Sequence, residues 1–176
     1  HNFSFLEKYD MLKNLVEGGT FLLTSPVGKD EIWDKLPGAV QQQMIDKKVR
    51  FFIIDAIGIA ESIGLGGRIN VIMQTAFFRI SNIMEEEKAI GAIKTAIKKT
   101  YGKKGDAIVN MNNTAVDRAL ESIVEVAVPS AASNKVKAIT PVPDDAPDFV
   151  KNVTAKIMKQ EGADITTSQM PADGTW

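Results

Sequence analysis

The chain has 176 residues, 44% of them hydrophobic and 24% charged, enough for one domain with a real core and an appendage. Lys and Arg number 21 against 22 Asp and Glu, a net charge of −1, so a nucleic-acid partner has no electrostatic support. There is no cysteine and the single histidine is His1, which excludes disulfides, a thiolate nucleophile and an iron–sulfur cluster held by this chain, and argues against a histidine triad or His-rich metal site. No apolar run reaches membrane-spanning length and no signal peptide is visible. The chain opens without methionine, and we expect a piece of a longer polypeptide.

The first predicted element is a helix over residues 5–16. Ser4 with Glu7 makes a capping-box pattern, and Leu6, Tyr9, Leu12 and Val16 share a stripe. Gly18 and Gly19 stop it, and residues 20–24 follow as a short apolar strand, together the half-unit of a parallel α/β sheet. Two short helices, 30–36 and 39–47, are expected on either side of Pro37-Gly38, with Trp33 packed inward. The second strand, 49–54, is almost continuously apolar, as burial on both faces requires. Asp55 stands at its C-terminal end, where open α/β sheets place ligands; a helix cap is the other use of such an aspartate.

A helix over 56–63 leads into Gly64-Leu65-Gly66-Gly67-Arg68, and a further helix over 70–83 follows. A glycine loop opening a helix exposes backbone N–H groups and partial positive charge, to which Arg68 adds a permanent one. That combination suits an anion or polar ligand; a plain tight turn is the alternative. The 70–83 helix carries Val71, Ile72, Met73, Ala76, Phe77, Phe78 and Ile80, which predicts burial on nearly every side. Asn70 and Gln74, four apart, share a face; they bond either neighbouring backbone or a ligand.

Glu85, Glu86 and Glu87 open a helix that ends in Lys94, Lys98, Lys99, Lys103 and Lys104, acid first and base last, with the lysines taken as a solvated face. Another long helix is expected over 106–126, with Asn110, Asn112 and Asn113 marking a bend or a polar contact. Beyond Val128 the prolines 129, 141, 143 and 147 make a linker, 149–159 is a short candidate helix, and 162–176 is too poor in apolar residues to fold alone. With only two strands in view, an independent nucleotide-binding protein lacks a stable sheet.

Several stretches carry a resemblance. Phe5-Leu6-Glu7-Lys8-Tyr9-Asp10-Met11-Leu12-Lys13, Gly18-Gly19-Thr20-Phe21-Leu22-Leu23, Ile32-Trp33-Asp34-Lys35-Leu36-Pro37, Gly66-Gly67-Arg68-Ile69-Asn70, Ala96-Ile97-Lys98-Lys99-Thr100-Tyr101-Gly102-Lys103-Lys104-Gly105 and Met170-Pro171-Ala172-Asp173-Gly174-Thr175 are similar, in order, to the single-chain pyruvate:ferredoxin (flavodoxin) oxidoreductases. The resemblance implies the C-terminal part of a gamma-like third domain over 1–128 and a linker over 129–176 towards a ferredoxin-type region. The expected fold class is α/β: three-layer α/β/α, helix-rich, with a small mostly parallel sheet followed by an extended linker.

That family oxidises pyruvate with coenzyme A to acetyl-CoA and carbon dioxide, and reduces ferredoxin or flavodoxin. It uses thiamine diphosphate, Mg2+ and [4Fe-4S] clusters, whose motifs lie outside these residues. Carried over, Arg68, Asn70 and Gln74 become candidates for the coenzyme A-facing edge: a guanidinium for phosphate, amides for pantetheine or ribose. The implied role is binding and enclosure, with no catalytic residue here. Implied partners are the other domains of the same polypeptide and ferredoxin or flavodoxin, in a homodimeric cytoplasmic enzyme. A docking module whose apolar helix packs against another domain is the alternative.

Overall fold

The computed structural model describes residues 4–137 and 140–174. Its centre is a three-stranded sheet of β1 (Thr20–Thr24), β2 (Arg50–Ile54) and β3 (Val124–Val126), in that spatial order. β1 and β2 run parallel, with Phe21 opposite Phe51 and Leu23 opposite Ile53. β3 pairs antiparallel with β2, placing Phe51 opposite Val126. The sheet expected to be mostly parallel is therefore mixed, because the end of the predicted 106–126 helix is a strand. The parallel crossover is filled by α2 (Ile32–Lys35) and α3 (Gly38–Asp46), as two parallel neighbours demand.

Side chains alternate across the sheet and divide the core in two. On one face Leu23, Phe51, Ile53 and Val126 pack with Ile32, Leu36, Val40 and Met44 of the α2–α3 region. On the other, Ile54 and half-buried Leu22 meet α4 (Ala56–Ser62), α5 (Asn70–Ser81) and α7 (Asp106–Ser122) through Ala56, Ala60, Ile72, Ala76, Ala115 and Ala119. Alanines at these crossings let the helices approach closely. The three-layer expectation holds. α6 (Glu86–Tyr101) lies outside that layer, its Ile93 and Ile97 packed on Val109 and Val116 of α7. Lys94 Nζ reaches Asp117 Oδ1 at 2.7 Å, while Lys98, Lys99, Lys103 and Lys104 are exposed.

Three local expectations change. The first helix, α1, spans only Ser4–Lys8; Ser4's side chain, and with it the proposed cap, lies outside the described residues. Residues 11–14 form turns instead, so Leu6 and Leu12 are buried while Val16 is 71% exposed. α7 ends at Ser122, and Asn112 inside it donates its amide to Ile108 O, four residues back, at 2.8 Å. α5 buries only Ile72, Thr75 and Ala76; Phe77 is 50% exposed. Past β3, a π-helical turn (Val150–Thr154) runs into α8 (Ala155–Met158), as the 149–159 pattern suggests.

Candidate functional site

The crevice at the C-terminal ends of β1 and β2 is where an α/β sheet would take a ligand. Here the protein's own groups occupy it. Asp55 Oδ1 accepts from Gly58 N at 2.9 Å, and Thr24 Oγ1 accepts from Ala56 N at 3.2 Å. Both are amides of the first turn of α4, which have no partner inside the helix. A side chain at Gly58 would run into the Asp55 carboxylate, so the glycine is part of the cap. Of the two uses open to Asp55, the structure shows the helix cap.

The glycine loop divides by function. Gly64, at φ +79°, ends α4: Gly64 N donates to Glu61 O (3.1 Å) and Leu65 N to Ala60 O (2.8 Å). That is the paired bonding of a Schellman stop, with Leu65 and Ala60 both in the core beneath it. Gly66, at φ +57°, turns the chain on. Gly67 needs no left-handed φ, and a Cβ at either Gly66 or Gly67 would meet nothing within 4 Å. The outer side of this loop is bare backbone.

α5 begins directly after it. Its N-cap is Ile69, which brings no side-chain hydrogen bond, so the first amides of a 12-residue helix are left for an outside acceptor. Arg68 is exposed; its Nε donates to Leu65 O at 3.0 Å, which holds the root of the guanidinium against the loop and leaves its outer nitrogens available. Asn70 and Gln74 are both exposed, and among the described residues neither side chain bonds neighbouring backbone. They do share a face, as their spacing predicts, but that face is open. At 100° per residue, positions 70, 74 and 77 fall within about 60° of each other. Phe77 therefore continues the stripe, about 10 Å along the axis from Asn70. It was counted above with the buried residues of this helix; the signal for its exposure was its phase with the two amides.

Arg68, Asn70 and Gln74 line neither of two sizeable hollows among the described residues. One, of about 530 Å3, lies between 35–39 and 134–137, and another, of about 650 Å3, lies beside β3. The three residues thus form an open face beside an uncapped helix start, which needs a second surface to become a pocket. Among the described residues no three His, Cys, Asp or Glu side chains gather to hold a metal ion, and no helix is long and apolar enough to cross a membrane.

Residues 1–122 match the family model described as pyruvate ferredoxin/flavodoxin oxidoreductase, and residues 125–176 match a domain of unknown function, EKR. A putative pyruvate-flavodoxin oxidoreductase of Synechocystis is 45% identical over the whole chain, and so is the pyruvate-flavodoxin oxidoreductase of Rhodospirillum rubrum. The pyruvate:ferredoxin oxidoreductase of Moorella thermoacetica is 42% identical, again over the whole chain. The chain spans 15% of the length of each of these relatives. Among solved structures, the PORC subunit of pyruvate oxidoreductase from Thermotoga maritima superimposes with a TM-score of 0.54 at 20% identity, covering 70% of this chain and 60% of that one. At that identity the likeness is one of fold. The model matched over residues 1–122, more than half of the chain, places it in the pyruvate ferredoxin/flavodoxin oxidoreductase family.

Proposed function

We propose that this chain is the coenzyme A-side part of an enzyme that oxidises pyruvate with coenzyme A to acetyl-CoA and carbon dioxide and reduces ferredoxin or flavodoxin. The observation that carries the proposal is the unclosed start of α5: free helix amides, bare Gly66 and Gly67, and Arg68 held beside them. Partial positive charge and a guanidinium favour a phosphate, and a loop without side chains lets backbone come close to it. Asn70 and Gln74 extend the same face with donors and acceptors suited to ribose hydroxyls or pantetheine amides. Thiamine diphosphate would supply the electron sink for decarboxylation, with Mg2+ and [4Fe-4S] clusters beside it. With no cysteine in the chain, the clusters belong to other domains, and on this reading so do thiamine diphosphate and Mg2+, in a cytoplasmic, homodimeric enzyme.

The role of these residues is to bind and enclose. Holding the coenzyme against a reactive intermediate aligns its thiol and keeps water out. The enzyme's KM for coenzyme A in an Asn70→Ala/Gln74→Ala double variant rises roughly tenfold, from two lost hydrogen bonds of about 0.5–1.5 kcal/mol each, while kcat at saturating coenzyme A stays near wild type. Half-exposed Phe77 favours a second reading, in which this face docks another domain of the polypeptide. An unchanged KM in the double variant selects that reading.

A further inference from the structure

The two matched family regions meet between residues 122 and 125, yet the contacts cross that line. Gln41, in the middle of α3, is fully buried. Its Nε2 donates to Trp33 O at 2.6 Å and to Ser133 Oγ at 3.0 Å, and its Oε1 accepts from Asn134 N at 2.9 Å. Ser133 Oγ in turn donates to Asp34 Oδ1 at 2.6 Å. Asn134 Nδ2 donates to Asp34 O at 2.9 Å and Leu36 O at 2.8 Å. Those carbonyls belong to the end of α2 and the turn after it, where helix acceptors have no partner of their own. A residue about a hundred positions away supplies the missing cap.

Gly38 adds an independent observation. It is the first residue of α3, and its φ is not left-handed. Nevertheless, a Cβ there would strike Lys135 O and sit 2.6 Å from Asn134 O. The backbone of 134–135 rests directly on the glycine. Val124, Val126 and Val128 pack into the same core, so the chain is anchored from β3 onwards.

We infer that the α2–α3 corner is a receptor for the bend at Ser133–Asn134, a strap that joins the two family regions into one folding unit reaching at least Lys135. Gln41 reads the strap by its amide and hydroxyl, and Gly38 makes room for its backbone. Every hydrogen-bonding atom of the Gln41 side chain is used, so a wrong segment would leave a buried polar group unpaired. The contacts of the α/β body thus run past the family boundary, to Asn134 and Lys135. This inference stands apart from the coenzyme A reading, because none of its residues lies on α5.

Hydrogen–deuterium exchange of the complete polypeptide tests it. In the wild type, the Asn134 amide, bonded to Gln41 Oε1, exchanges at least tenfold more slowly than the same amide in an unstructured peptide of that sequence. Gly38→Ala and, separately, Asn134→Ala speed exchange at position 134 about tenfold and leave α5–α7 unchanged. Asn134 is an exposed residue on the strap itself, so its variant remains informative should Gly38→Ala fail to fold. Exchange of the position-134 amide at the unstructured rate in the wild type, or unaltered by Asn134→Ala, overturns the inference.

Discussion

Replacing Asp55 separates a structural carboxylate from a ligand-binding one. Asp55→Ala removes the bond to Gly58 N and leaves that amide, in a half-buried turn, without an acceptor. Loss of such a cap costs about 1 kcal/mol, within a range of roughly 0.5–2. Asp55→Asn keeps an acceptor oxygen and loses only the charge facing the helix dipole, a matter of about 0.3–1 kcal/mol. α4 has seven residues, so its first turn is a large share of it. For a chain of this length the Ala variant should melt about 2–4 °C below wild type for each 1 kcal/mol lost, with the Asn variant closer to wild type. Calorimetric unfolding of the isolated chain gives the shift; titration of the complete enzyme with coenzyme A gives the affinity. An Ala variant that melts like wild type but binds coenzyme A tenfold more weakly would refute the capping account.

Gly64→Ala forces a side chain to φ +79° and should destabilise by roughly 1–2 kcal/mol; Gly91→Ala, mid-helix on α6 with open space around it, should stabilise by about 0.5–1 kcal/mol, both read from urea midpoints. Glu161, 3.1 Å from Lys13 Nζ, holds that ammonium above its ordinary pKa of 10.5 by hydrogen bond and charge. A pKa raised by folding gives stability that is whole below 10.5 and lost as pH climbs through the raised value. Lys13→Ala should therefore melt slightly below wild type at neutral pH and converge with it in strong alkali. The isolated chain exposes Phe77, Ile83 and Met84, and β1, an edge strand among the described residues, carries no charge or proline to protect it. Light scattering should find it self-associated, and a dye-reduction assay with pyruvate should be flat; a monodisperse monomer would contradict the account of an unfinished surface.

Legibility in the sequence followed burial. β1 and β2 were visible because strands covered on both faces write continuous apolar runs. β3 was not: Val124-Glu125-Val126 is three residues long, too short to establish a period of two, and only its pairing with β2 makes it a strand. The first helix was overextended because Leu6, Tyr9, Leu12 and Val16 keep helical spacing through residues that the chain uses as turns. On α5, periodicity reports how much apolar surface exists and not whether a neighbour covers it, so Phe77, expected inside, stands half-exposed. Gln41 left no signal, because it stands in a run with Gln42 and Gln43 and only the fold distinguishes the one that points inward. Arg68 and the glycines around it were readable as a local feature, and the fold shows which glycine ends a helix and which lies bare.

Calorimetric titration of the complete enzyme with coenzyme A, wild type against Arg68→Ala, bears most directly on the function of this face. A charge-assisted hydrogen bond contributes about 1.5–3 kcal/mol, and the exposure of Arg68 puts the expected loss at the lower end, about tenfold in Kd. Weaker binding of that order, with unchanged thermal stability, is the predicted result. Identical affinity in the two proteins would contradict the assignment of the α5 start to coenzyme A.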